Sequence, residues 1–313
     1  MKYMNKEYGN SISTQYTMKP LSRNAIIGYP AGIITGITYG LNPLFAVPLI
    51  NQGVSIDSIL FFRYGLAVLI LGGFMVISRQ SFSLSGRQFR ILLLLGILYT
   101  SSSLLLFESY NYIASGLATT IVFLYPVIVA LIMVFLKVIP SWKVWISIFA
   151  TFIGVIAMTH SDSTTAINPT GIVLSLGSAT AYSIFIVIIN KNKAIASISN
   201  SLLTFYALFV GALIFITRIL WTGTDITSGI DNYFSWINLI GLALLPTIVS
   251  TATLAVATRN IGATKASVLG VFEPITAILI GTLVFNEPLT TGIIVGIIIS
   301  IAAITFMIQT TKR

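Results

Sequence analysis

Cysteine is absent from the 313 residues, and histidine occurs once, at His160. These absences exclude disulfides, thiol redox chemistry, Cys/His zinc sites and haem ligation. Charge is scarce too. Charged side chains make up 8% of the chain, against about 25% in an ordinary soluble domain. What is present instead is apolar: 56% of the residues. A soluble fold cannot hide that much apolar surface, because about half of any globular surface still faces water. The composition therefore predicts a polytopic membrane protein with short connections and no room for a large extramembrane domain. A cleavable signal is not expected, because residues 1–23 are polar and the first apolar run leads into further runs.

Runs long enough to cross a hydrocarbon core of about 30 Å fall at 25–49, 57–78, 89–109, 113–136, 144–160, 170–189, 201–220, 236–258, 265–286 and 289–309. The ten-residue alternation of barrel strands is missing, so the runs read as helices. Fifteen of the 17 Lys and Arg residues lie before the first run, in the even-numbered connections or at the C-terminus. Arg63 and Arg218 are the exceptions, within runs. The odd connections contain no lysine and carry Asp57, Asp162, Asp225, Asp231 and Glu287. The positive-inside rule then places both termini in the cytoplasm. A +9 formal charge is thereby read as topology rather than as affinity for nucleic acid.

The two halves repeat. An offset of 148 carries Pro126 and Pro140 onto Pro274 and Pro288, together with Ile113, Ala118, Ile132 and Ile146 onto Ile261, Ala266, Ile280 and Ile294. An offset of 143 carries Gly28, Gly32, Gly36 and Gly40 onto Gly171, Ser175, Ala179 and Ser183. Small residues four apart line one helix face and let a second backbone approach. Five helices per repeat is an odd number, so the second copy is inverted in the bilayer. Secondary transporters are commonly built this way, with the substrate site near the midplane between halves. The expected organisation is a leader at 1–23, a first repeat at 24–160, an external linker at 161–169, a second repeat at 170–309 and a tail at 310–313.

The stretch from Asn260 through Lys265 to Ser267, then Phe272-Glu273-Pro274 and Phe285-Asn286-Glu287-Pro288, resembles the end of an EamA-type repeat of the drug/metabolite transporter superfamily. Gly116-Leu117-Ala118, Leu124-Tyr125-Pro126 and Gly154-Val155 carry the resemblance in the first half. The resemblance implies a ten-helix exporter or importer of small metabolites such as amino acids in the cytoplasmic membrane, monomeric or homodimeric. Its central cavity would be lined by the first four helices of each repeat. The chain departs from the pattern at one place: the acidic residue present as Glu287 has Ile139 as its first-half counterpart.

Ionisable groups within hydrocarbon are costly and mark function. Arg63 lies roughly 9 Å below the outer end of its helix and Glu273 roughly 12 Å above the inner end of its own. Arg63 is a candidate anchor for a substrate carboxylate, which a guanidinium pairs bidentately, with snorkelling to the interface as the alternative. Glu273 is the candidate proton carrier, with static pairing to Arg63 or to backbone as the alternative. Tyr39, Asn42, Tyr99, Tyr125, Tyr182 and Tyr206 are further candidates for the cavity wall, since amphipathic rings and amides can meet a ligand there. Tyr206 is the repeat counterpart of Arg63, and Tyr125 that of Glu273. Pro43, Pro126, Pro246 and Pro274 are the expected kinks. No cofactor or metal is expected beyond the proton.

The function these features point to is secondary active transport of small polar metabolites, with export the expected direction and two inverted repeats alternating access. An exchanger of nucleotide sugars or other organic anions is the alternative within the superfamily, and a channel or structural component the alternative from another class. A membrane-embedded enzyme would need paired aspartates or a histidine partner within the spans, and neither is present. An ATP-driven pump would need a Walker sequence.

Overall fold

The computed structural model describes residues 22–113, 115–159, 168–284 and 291–310. Residues 1–21 of the 1–23 leader, His160, nearly all of the 161–169 linker, Glu287, Pro288 and residues 311–313 of the tail lie outside the described residues. Within them the chain is helical, and no strand occurs. Seven helical segments are long and apolar enough to cross a membrane: Arg23–Asn51, Ile56–Ile77, Gly86–Ser109, Pro169–Lys191, Asn200–Thr222, Tyr233–Ile261 and Ala263–Val284. Three passes with shorter apolar helices complete ten: Ser115–Val122 continued by Tyr125–Phe135, then Trp142–Thr159, then Thr291–Thr310. They are numbered here as the first to tenth pass in chain order, and they fall on the ten runs anticipated from hydropathy to within a few residues.

Local chemistry sets the ends. Ser55, Ser85, Ser199 and Asn232 each accept a hydrogen bond from a backbone N–H in the first turn of the helix they open, which satisfies donors a helix start leaves free. Ser85 and Gln88 complete the reciprocal capping box. The eighth and ninth passes meet at a single residue, Gly262, whose φ of 86° an L side chain rarely adopts. The outward faces carry exposed Leu, Ile and Phe along their length, with Trp142 and Trp221 exposed near helix ends. That is the distribution expected of a lipid-facing surface with aromatic residues at its borders.

The packing exchanges the two halves. The first pass packs most extensively on the eighth and the sixth on the third, while the second pairs with the seventh and the fifth with the tenth. The same exchange holds atom by atom. A Cβ at Gly28 would meet Ile261, and a Cβ at Gly171 would meet Ile113; these are the same pair of positions read from the two repeats. The Ser178 hydroxyl donates to the Ser102 carbonyl at 2.8 Å, and its counterpart Thr35 lies 3.5 Å from the carbonyl of Ser250, the counterpart of Ser102. Two inverted five-helix repeats are therefore related by a pseudo-twofold axis, and small residues at the crossings permit the close approach.

Four passes are irregular, and each irregularity falls beside one of the prolines expected to kink. The first is interrupted between Tyr39 and Asn42, before Pro43, and the fourth between Val122 and Tyr125, before Pro126. The ninth tightens to a 3-10 turn at Leu269–Val271 before Pro274, and the eighth widens to a π-turn at Leu244–Val249 around Pro246. Proline lacks the N–H that would bond the carbonyl four residues upstream. At Pro43 that carbonyl belongs to Tyr39, and the Asn42 side chain donates to it at 2.8 Å. At Pro246 it belongs to Leu242, and the Thr247 hydroxyl donates to it at 2.8 Å. The third pass, without a proline at the matching place, runs as an unbroken helix.

Candidate functional site

The irregular stretches converge on the pseudo-twofold axis. Arg63 enters from the second pass and is completely buried. Its Nε donates to Thr247 Oγ1 at 2.6 Å and its Nη2 to the Pro246 carbonyl at 3.3 Å. The guanidinium is thus held by the two backbone and side-chain acceptors that the π-turn exposes. Around it stand three aromatic rings, Tyr39 and Tyr64 with centroids 5.8 Å from Cζ and Phe107 at 5.9 Å. Snorkelling is not what this side chain does. Nη1 is buried without a hydrogen-bond partner, and among the described residues Arg63 forms no ion pair.

Glu273 lies on the far side of a tyrosine cluster, at 5% exposure. The Tyr125 hydroxyl donates to its Oε1 at 3.2 Å. The connection back to Arg63 runs ring by ring: Tyr125 meets Tyr182 edge-on at 4.9 Å, and Tyr182 stacks on Tyr39 at 6.1 Å. Tyr99 joins through Tyr182 at 6.5 Å and accepts a hydrogen bond from Thr251 at 3.0 Å. Asn42, spent on the Tyr39 carbonyl through its amide nitrogen, keeps a buried Oδ1 with no partner. The centre of the molecule therefore holds a buried cation with a free donor, a buried carboxyl and an unmatched amide oxygen, separated by aromatic rings.

Of the residues singled out in the sequence, Arg63, Tyr39, Asn42, Tyr99, Tyr125, Tyr182 and Glu273 fall in this cluster, and Pro43, Pro126, Pro246 and Pro274 fall at the breaks around it. Tyr206 stands apart: its hydroxyl donates to the Phe82 carbonyl at 2.9 Å, at the connection between the second and third passes. As the counterpart of Arg63 it occupies the mirrored place, but it is turned to a loop rather than to the centre. Thr247, Tyr64, Phe107 and Thr251 were not anticipated. Thr247 had a signal, because the offset of 148 makes it the counterpart of Tyr99.

Polar ties join the helices on both faces of the molecule. On the face of the odd connections, Arg218 Nε meets Asp57 Oδ1 at 2.9 Å and Nη2 meets Glu108 Oε1 at 4.0 Å, tying the seventh, second and third passes together. On the opposite face, Arg259 donates to the carbonyls of Ile198 and Ile195 at 2.6 and 3.0 Å. Among the described residues no group of His, Cys, Asp or Glu is placed to hold a metal ion.

A helical membrane protein of two inverted repeats packed around a buried polar centre has the construction of secondary transporters. The model of the EamA-like transporter family matches residues 26–159 and again 169–309. The chain belongs to that family. A solved crystal structure, titled only "Crystal structure of protein", superimposes with a TM-score of 0.73 over 91% of this chain and 98% of its own at 10% identity, a likeness of fold. No curated protein matches the sequence.

Proposed function

We infer that the protein is a secondary active transporter of small polar metabolites, amino acids foremost, that exports them across the cytoplasmic membrane with both termini in the cytoplasm. The observation that carries this reading is the buried Arg63 guanidinium, whose partners are neutral and whose Nη1 has no partner. An uncompensated buried charge is costly, and a bound carboxylate would supply the missing counter-charge with charge-assisted hydrogen bonds. An α-ammonium would then rest against the tyrosine faces and the free Asn42 oxygen. Glu273, with a hydroxyl for its partner, is assigned the proton. The burial of both Arg63 and Glu273 supports an occluded step of an alternating-access cycle.

The test is uptake into proteoliposomes with a labelled amino-acid panel under an imposed pH gradient. Gradient-dependent uptake of several amino acids supports the reading. Uptake confined to organic anions without an amino group favours the organic-anion exchanger, and no gradient dependence removes the proton from the mechanism.

A further inference from the structure

A cavity of about 310 Å³ lies away from the centre, where the turn between the fourth and fifth passes faces the corner between the eighth and ninth. Its size is at the lower end of the ligand-pocket range of roughly 300–1,000 Å³. Val138, Pro140, Val144 and Ile261 form apolar walls, and Ser141 and Lys265 bring the polar groups. Lys265 is partly buried, and among the described residues it has no acidic partner. The sequence explains why. Of the eight acidic residues, only Glu7 of the leader precedes the first pass, none falls in an even connection, and the rest lie in odd connections or within passes. The position in this wall that could have carried an acid is Ile139, which lines the cavity beside Lys265 and is the first-half counterpart of Glu287. Lys137 and Lys143 flank the same turn. Phe135 and Trp142, at the helix ends on either side of this turn, are both strongly exposed, as lipid-facing residues at a membrane border are, which sets the cavity beside apolar surface that an amphiphile can cover.

We propose that this cavity binds an anionic phospholipid, its phosphate on Lys265 and part of an acyl chain against the apolar walls. Basic pockets between membrane helices recognise anionic headgroups in this manner. The lysine supplies the charge, the missing acid at position 139 leaves it unneutralised, and the apolar walls select an amphiphile over a free ion. The site does not depend on what the transporter carries.

Native mass spectrometry of the full chain in detergent tests it, with phosphatidylglycerol and phosphatidylcholine of the same acyl chains as probes. Phosphatidylglycerol is expected to bind about fivefold more tightly, the factor one lysine contributes near a headgroup. Lys265→Gln abolishes that preference, and Ile139→Glu abolishes it with the lysine still present. Lys265→Arg retains it, as does Arg79→Gln elsewhere on the same face. A preference surviving in Lys265→Gln or in Ile139→Glu overturns the proposal. So does displacement of phosphatidylglycerol by an equal concentration of inorganic phosphate, which would assign a soluble anion instead.

Discussion

Tyr39 and Tyr182 occupy the same position of the two repeats, and their rings stack on one another with centroids 6.1 Å apart and planes 16° from parallel. A twofold relation brings a residue against its own counterpart only at the axis, so this pair marks where the axis passes through the polar centre. An aromatic pair of this geometry is worth about 0.5–1.5 kcal/mol beyond its buried area. Tyr39→Leu and Tyr182→Leu should each lower thermal stability in nanodiscs, and the double variant should fall short of their sum by about that amount. Strict additivity would mean the stacked rings are neighbours without energetic coupling.

The tether from Arg63 to the π-turn makes a separable prediction. Thr247→Val removes the acceptor for Nε and the donor to the Leu242 carbonyl, leaving buried groups unmatched at a cost of about 1–3 kcal/mol in unfolding experiments. Arg63→Lys keeps the charge but loses the planar fork. Its uptake rate should drop about tenfold or more, in line with the loss of one charge-assisted hydrogen bond. Parent-like uptake by Arg63→Lys would show that a point charge suffices and that no bidentate carboxylate is held there.

Much of this architecture was legible in the sequence, and the physical reason is the bilayer. Hydrocarbon demands long apolar runs, so the ten passes stand out, and the basic residues sort to one face of the connections. The repeat was readable because close helix crossings require small residues: Gly28 and Gly171 sit against the counterparts Ile261 and Ile113. Buried charge is rare enough that Arg63 and Glu273 announced themselves. What could not be read was direction. Arg63 and Tyr206 are equivalent in sequence, yet one turns to the centre and the other to the Phe82 carbonyl, because the Pro246 π-turn offers acceptors on one side only. The Arg218–Asp57 pair was hidden too, since its partners are far apart in the chain and meet only through the packing of the second and seventh passes.

Glu273→Gln should leave membrane insertion intact and abolish the dependence of uptake on a pH gradient. The amide oxygen would still accept from Tyr125, so the contact at 3.2 Å is preserved while the titratable proton is removed. Vesicle uptake measured with and without the gradient separates the two roles. Unchanged gradient-driven uptake would leave Glu273 a structural acceptor for the tyrosine and nothing more.

The Arg218–Asp57 contact is partly open to water, with the Arg218 side chain 40% exposed, so its contribution to stability is small, about 0–1 kcal/mol. Its expected importance is conformational, because it joins helices whose separation would open one end of the centre. The absence of native cysteine allows a clean probe: Phe107→Cys, buried beside Arg63, labelled with a membrane-impermeant maleimide. Adding Asp57→Asn should speed that labelling severalfold, and high salt should narrow the difference between the two proteins. Equal labelling rates with and without Asp57→Asn would mean the pair does not guard the site.

Gly40 gives the sharpest steric prediction. It sits at the break of the first pass with ordinary helical φ, so conformational strain is not the issue. A Cβ there would stand 2.5 Å from the Glu273 carbonyl oxygen and 2.6 Å from Thr276 Cβ, and a backbone atom cannot swing aside as a side-chain tip can. Its counterpart Ser183 meets the matching carbonyl, that of Tyr125, at 3.2 Å through its hydroxyl, so the two crossings are not equally tight. Gly40→Ala should therefore force the first and ninth passes apart, costing about 1–3 kcal/mol as overpacking does, and should depress uptake along with thermal stability because Glu273 moves with its carbonyl. Gly65→Ala, where an added Cβ meets nothing within 4 Å, should leave both unchanged. If Gly40→Ala melts and transports like the parent, the first and ninth passes have room to spare at the polar centre, and the crossing there is not what positions Glu273.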